Sequence, residues 1–385
     1  MIINKDIKEF ISGEWIQQIE YKSFAPSKIN NQWTISDPEI MSILSEADRN
    51  IGRLDAFSEL IPDIDFFIKM HIAKEATFSS KIEGTQTSFE EVLIKQENIN
   101  PEKRDDWKEV HNYIDAINKA ILWLEDLPIS NRLIKNTHKI LLEGARGRCK
   151  YPGKYRESQN WIGSSLKNAV FVPPFHEEIP ELMRDIENFI NTDLLPESIF
   201  VPHLIKIAII HYQFETIRPF LDRNGRIGRL LITLYLMDKK LLRKPTLYLS
   251  DFFERNRRSY YDKLSEVRNF NDLSGWIKFF LEGVVETSHK SIQTFQEIIK
   301  LRENILFNKL PNFGKKQVDA NRLLNELYKQ PILDSKQIAE LLDIHASTAN
   351  RLIDNFQKLG ILRELTGYKR NRIFAFDEYI HLFNR

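Results

Sequence analysis

The sequence predicts a mainly α-helical protein with one short β-hairpin and a C-terminal winged helix-turn-helix. Apolar residues recur three and four apart over most of the chain. A single β-branched and aromatic run lies between polar turn residues and a double proline. Beyond Gly314, cap residues and apolar spacing repeat a helix–turn–helix pattern, followed by two strand-like stretches.

From Asp37 to about Lys119 the pattern is one of consecutive helices, as at Ile40, Ile43, Leu44, Ala47 and Ile51, which makes the N-terminal third helical. Asn131 to Glu143, Glu178 to Asn191, Val201 to Phe214 and Arg226 to Asp238 repeat it, with Pro, Gly or Asn in the breaks. The hairpin falls in Trp161 to Pro174, around Ala169 to Val172. Two helices are expected between Asn256 and Glu286, then a connecting helix from Ser288 to Leu310 that stops at Pro311, Asn312 and Gly314. The units expected are a helical region at 1–110, a core domain at 111–290, a connecting helix at 291–314 and a terminal domain at 315–385. There is no fixed-period repeat and no low-complexity tract.

At 385 residues the chain exceeds what one hydrophobic core usually serves. Lys and Arg total 55 against 54 Asp and Glu, so net charge excludes a globally basic nucleic-acid coat and an acidic solvating tail. The lone Cys149 excludes an internal disulfide framework and a Cys-based zinc site, and fits a reducing compartment. No apolar run has signal-peptide or membrane-span length, so a soluble, cytoplasmic protein is expected.

The densest chemistry is Pro219 to Arg229, PFLDRNGRIGR, a turn opening onto an apolar helix. Outward N–H groups and the dipole at a helix start favour an anion, and Gly225 permits close approach. Arg226 and Arg229 are three apart, neighbours on one face, and each can fork onto phosphate oxygens. Asp222 can hold Mg²⁺, which takes one or two carboxylates plus phosphate oxygens. Asn224 can donate to an oxyanion. The competing interpretation is a solvated loop with a basic helix start.

His211 to Leu230, HYQFETIRPFLDRNGRIGRL, resembles the signature loop of the Fic (filamentation induced by cAMP) family. The resemblance covers roughly Ser36 to Glu286. It implies a helical Fic core with a β-hairpin flap, and a protein adenylyltransferase that moves AMP from ATP to a Ser, Thr or Tyr hydroxyl. It implies that Asp222 ligates Mg²⁺, that Asn224 and the Gly225 backbone form an anion hole, and that Arg226 and Arg229 clamp the β and γ phosphates. Pro219 and Phe220 would anchor the loop. Two positions depart from the family pattern. Arg218 stands where the catalytic His belongs, and a guanidinium that stays protonated is no general base. Arg223 stands where Gly is usual, which adds bulk and a strained backbone angle, while phosphate cradling would survive with Arg223 pointing to solvent. His211 is a candidate substitute base, weighed against a structural histidine on the apolar helix IKIAIIHYQF.

Ser79 to Gly84, SSKIEG, matches the family's inhibition motif. A helix closed by Gly84 would put Glu83 in its last turn, where a carboxylate needs a cation partner. The resemblance makes that partner Arg229, so that Glu83 would withdraw it from the γ phosphate and autoinhibit. Gly153 to Gly163 and Lys167 to Pro174 resemble the flap, whose edge could pair with a target segment; a structural hairpin is the alternative. Tyr260 and Tyr261 match positions that line the adenine site, weighed against helix packing.

In the last segment, Val318 to Leu327 is a helix, Ser335 would cap Lys336 to Leu342, and Ser347 would cap Thr348 to Leu359. Two strands are expected around Thr366 to Asn371. Thr348, Asn350 and Arg351 would face a groove, with Lys369, Arg370 and Arg372 as a basic wing. From Val318 to Arg385 there are 10 Lys and Arg against 9 Asp and Glu, weak for a DNA binder, so DNA contact stands beside dimerisation or docking. The expected partners are ATP, a protein substrate, the chain itself through self-modification, DNA and a homodimer mate. The expected function is an adenylyltransferase impaired by Arg218; the alternative is a nucleotide-binding regulator that acts through the winged helix.

Overall fold

In the computed structural model, residues 4–60, 64–144, 150–192, 201–367 and 372–384 are described. Asp37 accepts hydrogen bonds from the amides of Glu39 and Ile40, which opens α1 (Pro38–Leu60). Ahead of it lie four short strands, β1 (Asn4–Asp6), β2 (Gly13–Gln17), β3 (Lys22–Pro26) and β4 (Gln32–Thr34). β2 and β3 form an antiparallel hairpin and β1 pairs parallel with β4. The expectation of a wholly helical region over 1–110 is corrected here. Trp15 meets Phe24 edge-on across the pair.

The helical body follows as α2 (Ile64–Ile82), α3 (Phe89–Val92), α4 (Arg104–Trp123), α5 (Asn131–Leu141), the hairpin β5 (Ile162–Gly163) with β6 (Ala169–Phe171), then α6 (Ile179–Asn191), α7 (His203–Ile217) and α8 (Asn224–Asp238). Every residue of α7 from Leu204 to Ile217 is buried, as the near-continuous apolar run requires. α8 is buried from Asn224 to Leu236 and packs beside it. These two helices form the centre of the body, which puts the loop between them against the core.

α9 (Ser250–Arg255) and α10 (Arg257–Phe270) lead into α11 (Leu273–Asn304). This one helix replaces the predicted break near Glu286 to Ser288. The polar residues there do not interrupt it, because Ser288 Oγ bonds the Val284 carbonyl four residues back and Thr287 and Ser291 face inward. The connecting helix is therefore the far end of a core helix that packs along α1.

The last unit comprises α12 (Gln317–Lys329), β7 (Ile332–Asp334), α13 (Ser335–Leu342), α14 (Ala346–Lys358), β8 (Arg363–Glu364), β9 (Ile373–Ala375) and α15 (Asp377–Phe383). β7, β9 and β8 make a three-stranded antiparallel sheet, so the two expected strands gain a third. Asp334 and His345 take the capping positions assigned to Ser335 and Ser347. This unit lies on α2: Phe67 contacts Tyr328 and Tyr379 with ring centroids 5.5 and 6.2 Å apart, and His71 contacts Phe383 at 5.0 Å. Among the described residues no helix is long and apolar enough to cross a membrane.

Candidate functional site

α7 ends at Arg218, which takes a left-handed conformation (φ 47°), and the chain reverses through Pro219 to Asp222 before Arg223, also left-handed (φ 60°), opens α8. Such angles cost a non-glycine residue about 1–2 kcal/mol each, so the surroundings must hold the turn. Phe220 is fully buried and stacks on His138 at 3.7 Å. The Asn224 side chain accepts from Phe220 N (2.8 Å) and donates to Phe220 O (2.7 Å), so it braces the loop from inside. Asn160 Nδ2 donates to the same carbonyl at 3.0 Å.

Arg156 was not singled out by the sequence, yet it ties the loop to the flap. Its Nε donates to Arg218 O (3.1 Å), its Nη1 to Ser158 O (3.1 Å) and its Nη2 to Pro174 O, while its amide donates to Pro219 O (2.9 Å). His138 does the same from α5. The Gly153 amide donates to Nδ1 (3.0 Å), which leaves the proton on Nε2 to donate to Asp222 O (3.2 Å). Burial brings the His138 pKa down to about 4, so it stays neutral.

α2 delivers the remaining part. Gly84 (φ 97°) ends its last turn, and Glu83 lands on Arg229 as the sequence proposed, with Oε1 2.8 Å from Nη2. Arg229 also donates from Nε to Ser79 Oγ (3.0 Å) and from Nη2 to Ser79 O (2.9 Å). Burial works to raise the Glu83 carboxyl, but Arg229, backed by Arg218 and Arg226, holds it below the usual range. A Cβ placed on Gly225 would run into Glu83 Oε1. The carboxylate thus lies against the first turn of α8, where an anion is favoured by the outward N–H groups and the dipole.

The other arginines are also engaged. Arg226 is fully buried and donates from Nη2 to Thr85 Oγ1 (2.9 Å) and Glu109 Oε2 (3.0 Å). Arg223 does not point to solvent; its Nη2 lies 2.5 Å from Glu109 Oε1. Glu109, on α4, is a site residue that sequence spacing could not find. Asp222 is half-exposed, with Oδ1 accepting from the Arg223 amide and Oδ2 3.9 Å from Arg223 Nε. Arg218 lies 3.7 Å from Glu215, a buried carboxyl whose pKa burial raises.

His211 is structural. It is buried, its ring bonding Gly228 O (3.0 Å) and Tyr260 Oη (2.9 Å), and burial depresses its pKa to about 3. Tyr260, expected at the adenine site or in helix packing, is likewise fully buried among Phe253, Trp276 and His211; Tyr261, 36 % exposed, keeps a ring available. β6 of the hairpin carries Val170 outward at 80 % exposure, and Val172 O accepts from Phe24 N at 2.9 Å. On α14, Arg351 is exposed while Thr348 and Asn350 are half-buried. Arg372 Nη1 lies 3.8 Å from Glu364, and its guanidinium sits over Phe374, so this one of the three expected wing cations is paired with a carboxylate. Cys149, Lys369 and Arg370 lie outside the described residues.

A helical body that presents a braced turn and an arginine at the buried start of a central helix is a fold seen before. It superposes on a Fic family protein from Desulfovibrio desulfuricans G20 with a TM-score of 0.54 at 20 % identity, over 88 % of this chain and 96 % of that one. Residues 41–122 match the family described as Fic/DOC family N-terminal and residues 128–236 match Fic/DOC family. Residues 41–122 and 128–236 therefore belong to the Fic/DOC family. Curated relatives include protein adenylyltransferase fic-1 of Caenorhabditis elegans, 28 % identical over 156 residues, and protein adenylyltransferase Fic of Aedes aegypti, 30 % identical over 136. These matches span 40 % and 35 % of this chain and only 27 % and 24 % of the relatives.

Proposed function

We propose that the chain binds ATP at the α7–α8 loop in a Fic-type site built to pass AMP to a protein Ser, Thr or Tyr hydroxyl, and that two features hold transfer down. One observation carries this: the Glu83 carboxylate lies on both Arg229 and the start of α8, an internal anion in the place a phosphate would take. With Glu83 withdrawn, Arg229 would be free to fork onto a γ-phosphate. Arg226 would have to leave Glu109 and Thr85 to serve as a second clamp, so its first role is to pin α8 to α4. Tyr261 would border the adenine.

Asp222, the loop's one carboxylate and partly exposed beside the start of α8, fits Mg²⁺, which takes one or two protein carboxylates plus phosphate oxygens. When bound, Mg²⁺ would neutralise phosphate charge. Arg223 beside Asp222 competes for the same carboxylate.

The second feature is Arg218. It cannot accept the hydroxyl proton, and a missing general base costs about 10²- to 10⁴-fold. This supports a second function, a nucleotide-binding regulator, and the packing of α12 and α15 on α2 supplies its physical link to the C-terminal unit. We read that unit as a winged helix whose protein or DNA partner would sense Glu83 through α2. Calorimetry with ATP and Mg²⁺ tests the site: Glu83→Gly should bind more tightly than the parent, and Glu83→Gly with Arg229→Ala should lose the gain. Equal binding by all three would refute the assignment.

A further inference from the structure

The N-terminal hairpin of β2 and β3 is seated on the flap. The Phe24 amide donates to Val172 O at 2.9 Å, and Trp15, Phe24 and Phe171 meet with ring centroids 5.1, 6.1 and 6.3 Å apart. The Arg268 guanidinium backs this cluster, 4.1 Å from the Phe171 centroid. Between the two hairpins runs an open groove of about 370 Å³, lined by Trp15, Tyr21 and Lys22 on one side and by Lys167, Val170 and Phe171 on the other. That volume falls within the ~300–1,000 Å³ of ligand sites, and the packed rings make its floor preformed. Trp15 is 39 % and Val170 80 % exposed, so aromatic and branched apolar surface faces water there.

The charges of the groove have one sign. Lys22 and Lys167 are exposed, and neither has a carboxylate at ion-pair distance among the described residues. No lining residue is acidic. The register pairs Trp15 with Phe24 and Gln17 with Lys22, so these four share one face, while Glu14, opposite Ala25, points to the other. Glu20 sits in the connecting turn, outside the lining, and Ser158 to His176 contains no Asp or Glu. A ligand that covers the apolar floor and carries negative charge therefore meets no repulsion. Two lysines are few for the phosphates of a nucleic-acid strand. The β5–β6 sheet, by contrast, is only two-stranded, and an extended polypeptide can pair with its outer edge.

We propose that this groove docks an extended segment of a partner protein in which a bulky apolar residue stands next to carboxylates. The apolar side chain would lie on Trp15, Val170 and Phe171, with the carboxylates at Lys22 and Lys167. Such docking is independent of what the α7–α8 loop binds.

The full chain is titrated by calorimetry, at low salt, with an eight-residue peptide holding one phenylalanine between two glutamates, and with the same peptide carrying glutamines in their place. The glutamate peptide should saturate, and the glutamine peptide should bind about three- to tenfold more weakly, as expected for two exposed ion pairs. The double variant Lys22→Glu, Lys167→Glu alters only exposed side chains; it should lose that preference and favour a lysine version of the peptide. Val170→Ser should weaken both peptides alike. No saturation at millimolar peptide, equal binding of the glutamate and glutamine peptides by the parent, or an unchanged preference in the double variant overturns the docking site, and unaltered binding by Val170→Ser overturns the apolar contact. Tighter binding of a thymidine octanucleotide than of the glutamate peptide would make this a nucleic-acid groove instead. A dimer in sedimentation that the double variant dissolves would assign the groove to a second copy of the chain; either outcome overturns the partner proposed.

Discussion

The α7–α8 loop and the C-terminal unit are both fastened to α2, by opposite chemistry. At the loop end, Glu83 and Ser79 hold Arg229, and Glu109 and Thr85 hold Arg226, so nearly every contact is a charge-assisted hydrogen bond to a buried guanidinium. At the other end, Phe67 and His71 meet Tyr328, Tyr379 and Phe383, ring against ring. Polar fastening is directional and can be exchanged for another anion; apolar fastening cannot be exchanged without opening the interface. One helix therefore ends in an ion-paired contact that the proposed function makes a replaceable latch, and carries an apolar seat in its N-terminal half.

Four experiments sharpen that contrast. The largest effect is expected where the latch and the base position are both repaired: Arg218→His with Glu83→Gly should raise self-labelling from α-labelled ATP by about 10²- to 10⁴-fold over Glu83→Gly alone. Full activity of Glu83→Gly by itself would show that Arg218 does not occupy the base position. Next, Phe383→Ala should cost about 3–5 kcal/mol by removing a buried ring, seen as an earlier unfolding transition in thermal melts. A loss under 1 kcal/mol would mean that the seat rests elsewhere.

Third, acid should weaken the protein through buried histidines. His71 and His211 have pKa values brought down to about 3 and His138 to about 4, against about 6.5 unfolded, in each case chiefly by burial. Because the folded values lie below the unfolded ones, the stability is fully present above pH 6.5 and is lost as pH falls towards 4. Between pH 6.5 and 5 each group should remove up to ~2 kcal/mol, measurable by urea titration at each pH; a flat profile would count against neutral burial of all three. The smallest effect is expected from Arg223→Gly, which relieves a left-handed arginine but gives up its pair with Glu109. These oppose, so stability should move by under about 1 kcal/mol while Mg²⁺-dependent ATP binding strengthens in calorimetry as the rival of Asp222 goes.

Much of the helical body was legible because apolar residues recur three and four apart, and in α7 they run nearly without a break, as burial on every side requires. The loop was legible for a related reason: its glycine, amide and arginines sit within one turn, so sequence distance equals spatial distance. The pairing of Glu83 with Arg229 was readable only through the family pattern, since 146 residues separate them. The strands before Pro38 were missed because each is at most five residues long, too short for periodicity to separate from coil.

By itself the sequence determined which helices form, that an anion-suited turn opens one of them, and that Arg218 cannot act as a base, because propensity, spacing and side-chain pKa are local properties. Only the tertiary structure decided that Glu109 holds Arg223 and Arg226, that Arg156 straps the loop to the flap, that Tyr260 lies in the core, and that α15 seats on α2. Each of those depends on which surfaces meet when helices distant in sequence pack. That is fixed by shape complementarity and by the need to satisfy every buried polar group, conditions that no single segment carries.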